Sequence, residues 1–132
     1  MSRIADGRFP QPPMAGMLGF HLVEVGYGTA LFEGVAGPAH LNALGGVHGG
    51  FALALVDSAC GCAGHSTLAA GEAYTTVETK ANLTRPIPTD GTPVQCTGTV
   101  VTRGRKLIVV EAKLTLPDGK VAAVGTSTLI VL

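Results

Sequence analysis

Asp57 is the one acid in the apolar stretch HGGFALALVDSACGCAGHS, residues 48–66, and no other Asp, Glu, Lys or Arg lies between Glu33 and Glu72. A carboxylate in such surroundings has two uses. It can be a structural group at a subunit interface, held by Ser58, a threonine or backbone donors, or it can be tuned as a general base or nucleophile. Just ahead of it, VHGGF puts Gly49 and Gly50 where a helix would begin. The first N–H groups of a helix lack intrahelical partners, and their positive potential can polarise a carbonyl oxygen brought close to glycine backbone. The plainer role for the two glycines is close packing against a sheet. Cys60, Cys62 and His65 are residue types that bind zinc, but helical residues two apart diverge by about 200°, so Cys60 and Cys62 cannot share an ion. Buried small-residue packing is the better account of them, and no metal or other cofactor is expected.

The block from Val47 to about Ala63 is rich in Ala and Leu and too long for a strand, which predicts a helix ending near His65, where Gly61 and Gly64 weaken its last turns. Apolar residues lie all round it, so it must be enclosed. At ~1.5 Å rise per residue, Gly49 and Asp57 stand ~12 Å apart along this helix and cannot touch one reacting atom together. If both act in one reaction, Asp57 must come from a second copy whose helix runs antiparallel, and a two-fold axis then makes two equivalent sites.

The rest of the chain supplies the enclosure. Residues 20–35 alternate as two strands around the turn Gly26-Tyr27-Gly28, and a loop with Pro38, Gly45 and Gly46 leads to the helix. YTTVETKANLTR then has period two, with Thr75, Val77, Thr79, Ala81 and Leu83 on one face and Thr76, Glu78, Lys80, Asn82 and Thr84 on the other. Strands at about 92–102, 107–116 and 120–131 follow, separated by turns rich in Gly, Pro and Asp. The expected architecture is α+β: a hairpin, one buried helix and a four-strand antiparallel meander, about six strands in all curling round the helix. Residues 1–132 are expected to form one domain, with 1–19 a partly irregular N-terminal extension.

The chain has 132 residues, 46% of them hydrophobic and 14% charged, an apolar surplus most simply buried against another copy. Nine basic and nine acidic residues cancel, unlike the electrostatic footprint of a nucleic-acid binder. No apolar run approaches the roughly 18 to 20 residues that span a bilayer. Asp6, Arg8 and the prolines 10, 12 and 13 stand where a signal peptide needs an apolar run, and the three cysteines are an odd number. Both observations lead to an expectation of reduced thiols and a cytoplasmic location.

The spacing N-x5-HGG-x6-D, here Asn42, His48, Gly49, Gly50 and Asp57, resembles the active-site signature of the hotdog-fold acyl-CoA thioesterases, specifically the phenylacetate-degradation type. The likeness extends through TTVETKANLTRP to GRKLIVVEAKLTLPDGKVAAVGTSTLIV. It implies a long helix wrapped by antiparallel sheet, paired into dimers or tetramers, that hydrolyses an aromatic or medium-chain acyl-CoA without a cofactor. By the same resemblance, Gly49 would donate its N–H to the thioester oxygen, beside Gly50. Asp57 of the facing chain would attack or activate water. Asn42 would orient the water or thioester, His48 would position the loop or touch substrate, and Thr76 would bring a hydroxyl near the acid. Coenzyme A phosphates need cations, for which Arg85, Arg103, Arg105 and Lys106 are the candidates. Relatives of the hydroxybenzoyl pattern use glutamate with a threonine one turn later, where this chain has Asp57 and Gly61. The rival readings are a hotdog hydratase or dehydratase, and a non-catalytic acyl-CoA-binding protein.

Overall fold

The computed structural model describes residues 2–7 and 10–132. Short helices α1 (Ser2–Ala5) and α2 (Pro13–Leu18) precede strands β1 (Phe20–Gly26) and β2 (Thr29–Gly34). The long helix α3 (Gly49–His65) follows, then β3 (Tyr74–Leu83), β4 (Val94–Arg103), β5 (Leu107–Thr115) and β6 (Val121–Val131). The apolar block is thus helical as its composition requires. It buries Phe51, Ala52, Leu55, Val56, Ala59 and Ala63, among others, on several sides of its axis. All six strands form one antiparallel sheet in the order β1-β2-β4-β5-β6-β3, curved round α3 in a hotdog fold.

The sheet lies close enough to α3 that a Cβ on Gly98 of β4 would run into the backbone of Ala59 and Cys60. On either side of this contact the inward positions of the sheet alternate with solvent-facing ones, as period two demands. Val94 and Cys96 of β4, Ile108, Val110 and Leu114 of β5, and Leu129 of β6 are almost wholly buried.

Two expectations need correction. The last four strands are not a meander: β4, β5 and β6 are, but β3 pairs with β6, from Tyr74↔Val131 to Leu83↔Ala123. β4 instead pairs with β2, Gly34↔Val94 included. The link of residues 84–93 carries Pro86, Pro88 and Pro93, which lack N–H donors for a hairpin ladder, and it takes the chain from the edge strand β3 past β6 and β5 to β4. Nor does β3 alternate throughout. Its register against β6 shifts between Thr76 and Glu78, a bulge at Val77 that reverses the faces beyond it. Thr76 and Thr79, assigned to opposite faces by strict alternation, therefore share one.

Candidate active site

The first turn of α3 is held open by His48. Its backbone is extended (φ −62°, ψ 136°) and its Nδ1 accepts from the Gly50 N–H at 2.8 Å, making it the helix cap. An accepting Nδ1 places the proton of the neutral ring on Nε2. Phe51 N–H donates to the His48 carbonyl at 3.0 Å. With the Gly50 donor spent on the cap, the Gly49 N–H is left without an acceptor among the described residues. It borders a cavity of about 310 Å³ lined by His48, Ala52, Leu83, Arg85 and Ile87. A Cβ at residue 49 would come within 2.9 Å of Leu83 Cδ1, so glycine keeps the approach to this amide clear.

Asn42 holds the loop that leads in. Its Oδ1 accepts from the N–H groups of Leu44 (2.9 Å) and Gly46 (3.2 Å), and its own N–H donates to the Gly46 carbonyl at 2.7 Å. The side chain is exposed, and its amide nitrogen has no acceptor among the described residues.

Asp57 stands two turns further along α3, half-buried. Thr76 and Thr79 both donate to the same oxygen, Oδ1, each at 3.1 Å. Oδ2 is left for something else. Thr79 Oγ1 also lies 3.0 Å from the buried Ser127 Oγ, itself 3.0 Å from the Glu78 carbonyl. With one proton per hydroxyl, Thr79 donates to the carboxylate and Ser127 to Thr79 or to Glu78. Thr76 thus brings a hydroxyl to the acid, and Thr79 is a second partner that strand alternation conceals.

Beside the carboxylate opens a cavity of about 290 Å³, lined by Ala15, Phe20, Phe32, Ala54, Cys62 and Tyr74, among others. Burial, helped by the neighbouring Cys62 and Asp57, pushes the Tyr74 phenol up to about 12, so it stays protonated and can donate. Burial pushes Cys60 to about 12 and Cys62 to about 11, with Asp57 adding to both, so neither offers a thiolate at neutral pH. A Cβ at residue 61 would lie 2.6 Å from the Tyr74 hydroxyl oxygen. That hydroxyl fills the space a threonine would need there, which gives the departure at Gly61 a steric reason. Tyr74 opens its strand next to a glycine-containing loop, and nothing in its sequence position marks it as part of this cavity.

The four candidate cations are split between the ends of the helix. Arg85 borders the Gly49 cavity. Arg103 is paired with Glu72 at 2.8 Å, while Arg105 and Lys106 are exposed in the β4–β5 turn. Within one chain, then, the free amide and the free carboxylate oxygen face different cavities, and each resembles half of a site.

Among known proteins, the family model described as the thioesterase superfamily matches residues 44–123, more than half of the chain. No curated protein matches it. Among solved structures, a phenylacetic acid degradation-related protein from Ralstonia eutropha JMP134 is 30% identical, with 98% of this chain and 97% of that one covered and a TM-score of 0.84. A mutant of the phenylacetic acid degradation protein PaaI from Thermus thermophilus is 26% identical, with 90% and 98% covered and a TM-score of 0.82. A thioesterase from Haemophilus influenzae shares the fold at 23% identity, with 90% and 82% covered and a TM-score of 0.82.

Proposed function

The chain belongs to the thioesterase superfamily, as a hotdog protein of the PaaI type, and we propose that it hydrolyses an acyl-CoA thioester to the free acid and coenzyme A at a site shared by two subunits. The observation that carries this reading is the pair of half-sites: an unpartnered N–H at the start of α3 in one cavity, and a carboxylate with one oxygen engaged and one open in another.

The open edge of β3 supplies a way to join them. Among the described residues no strand covers its second edge, and Val77 and Leu83 are each 54% exposed. Such an edge is a template for another strand. Leu83 lies against Gly49 and Thr76 bonds Asp57. A two-fold axis near the middle of β3 therefore sets one protomer's Leu83 opposite the partner's Thr76. That brings the Gly49 amide toward Asp57 of the partner subunit.

In the joined site, the thioester oxygen accepts from Gly49 N–H, which stabilises the charge that gathers there as the carbonyl carbon becomes tetrahedral. Asp57 of the partner subunit attacks that carbon through Oδ2, or takes a proton from a water that does. The C–S bond then breaks and coenzyme A leaves as the thiol after protonation; where Asp57 itself attacked, a water then hydrolyses the acyl–Asp57 anhydride, releasing the acid and restoring the carboxylate. Asn42, through its free amide nitrogen, orients the water or the thioester, and Gly50 keeps the backbone approachable. Arg85, Arg103, Arg105 and Lys106 are the candidates for the coenzyme phosphates. The reaction in this form needs no metal or prosthetic group. We place the protein in the cytoplasm as a homodimer at least, and a homotetramer in full, with neither nucleic acid nor membrane as partner. Among the described residues no helix is long and apolar enough to cross a membrane.

The test is thiol release from a panel of aromatic and straight-chain acyl-CoAs. Asp57→Asn is expected to lower kcat by about 10²–10⁴-fold while acyl-CoA binding persists. No thiol release with any member of the panel, or loss of enoyl absorbance in its place, would overturn the proposal.

A further inference from the structure

The cavity beside Asp57 is closed on one side by a segment outside the hotdog framework. Pro12, Met14 and Ala15, at the start of α2, line it together with Phe20 and Phe32 of the sheet and Ala54 of α3. Ala15 is 3% exposed, whereas Met14 at the rim is 63% and Met17 is 79% exposed. A larger side chain at position 15 would therefore grow into the cavity and not into solvent.

This wall is held in place by specific contacts. Gln11 Oε1 accepts from the Leu22 N–H at 3.0 Å, and Gln11 Nε2 donates to the Ile4 carbonyl at 3.2 Å. At the other end, His40 Nδ1 accepts from the Gly37 N–H at 2.9 Å, so its Nε2 carries the proton and donates to the Met17 carbonyl at 2.9 Å. The chain then turns into β1 through Gly19, at φ 73°, where a Cβ would lie 2.7 Å from the Val35 carbonyl oxygen. Fastened at both ends, α2 presents Ala15 to the same space as the catalytic carboxylate.

We propose that α2 is the end wall of the acyl site and that residues 14 and 15 set the length of the acyl group accepted. The inference rests on the thioesterase reading above. A wall that fits the acyl tail discriminates by steric exclusion, and one methylene too many in an apolar pocket lowers kcat/KM roughly 10- to 200-fold.

The test compares kcat/KM across straight-chain and ω-aryl acyl-CoA series of increasing length. Ala15→Leu is expected to move the fall-off to a shorter acyl group, by roughly tenfold or more at the first length it excludes. Met14→Ala is expected to move it to a longer one, and Met17→Ala, whose side chain faces solvent, to leave it in place. If Ala15→Leu does not fold, Met14→Ala decides the question. An unchanged length profile in the folded variants, with turnover intact, overturns the end-wall assignment alone. Absence of turnover by the native protein at every length overturns the thioesterase reading and this inference with it.

Discussion

Two threonine hydroxyls hold one oxygen of Asp57 in its apolar wall and leave the other open. A hydrogen bond to a charged group contributes about 1.5–3 kcal/mol, so Thr76→Val and Thr79→Val should each lower kcat/KM by about tenfold or more. Thr79→Ser, which keeps the donor, should recover most of that loss in the same assay. His48 has a different kind of role. As the α3 cap it satisfies one otherwise unpaired N–H, and His48→Ala should lower stability by about 1 kcal/mol, read as a shift in the denaturant midpoint. The sequence marks both positions, yet it leaves open whether the histidine touches substrate or holds the helix. The distance from its Nδ1 to the Gly50 N–H assigns it to the cap. His65 makes stability depend on pH. Burial lowers its imidazole below the ordinary 6.5, and its buried Nδ1 has no partner among the described residues. The unfolded chain then takes up the proton at a higher pH than the folded one. Stability is therefore whole above about 6.5 and falls as pH drops through and below it. His65→Gln should flatten this acid-side fall in Tm.

At the scale of elements, the bulge at Val77 decides which side chains meet the acid. Were Val77 paired as an ordinary strand residue, Thr76 and Thr79 could not face Asp57 together, because residues three apart on a regular strand point to opposite sides. Deleting Val77 should leave a regular strand in which Thr76 and Thr79 stand two apart and still share the face toward Asp57, so both hydroxyl contacts should persist. The protein should fold, since the ladder on each side of the bulge is complete, and kcat should stay near the native value; a fall as large as in the single threonine variants would show that the threonines no longer meet the acid together. This element also shows where sequence reading stops. The helix was legible because its length, alanine content and unbroken apolar surface admit only an enclosed helix. The strand runs and their turns were legible from period two and from glycine placement. The bulge has no such mark: Val77 is a β-branched residue in a β-branched run, and the extra residue shows only against β6. The pairing of β3 with β6 is equally non-local. The prolines of residues 84–93 argue against a hairpin, but they do not say which strand lies beside β3 in the end. Within the candidate site, Asn42, the HGG turn and Asp57 were readable as a spaced set. Thr79 reaches Asp57, and Tyr74 the cavity beside it, through sheet geometry that no local pattern encodes.

For the molecule as a whole, the decisive quantity is the separation along one rigid helix between the Gly49 amide and Asp57. Because α3 fixes that distance, no side-chain motion lets one chain supply both groups to one carbonyl, and the open β3 edge offers the two-fold arrangement that does. Two variants test this without removing the fold. Asp57→Asn removes the carboxylate on which the proposed mechanism depends. Gly49→Pro removes the N–H at the first helical position, where proline is well tolerated, and the extended backbone of His48 suits a residue that precedes proline. A Cβ added there meets only the end of the flexible Leu83 side chain. Each variant alone should be nearly inactive. When the two are mixed and allowed to exchange subunits, random pairing makes about half of the dimers mixed, each with one intact site of two, so the mixture should recover about a quarter of the native rate. A site contained in one chain gives no recovery at all, because neither chain of any pair carries both groups. Recovery that grows with subunit exchange therefore reports the shared site directly, and its absence, after exchange has been verified by mass, leaves the two-chain mechanism without support.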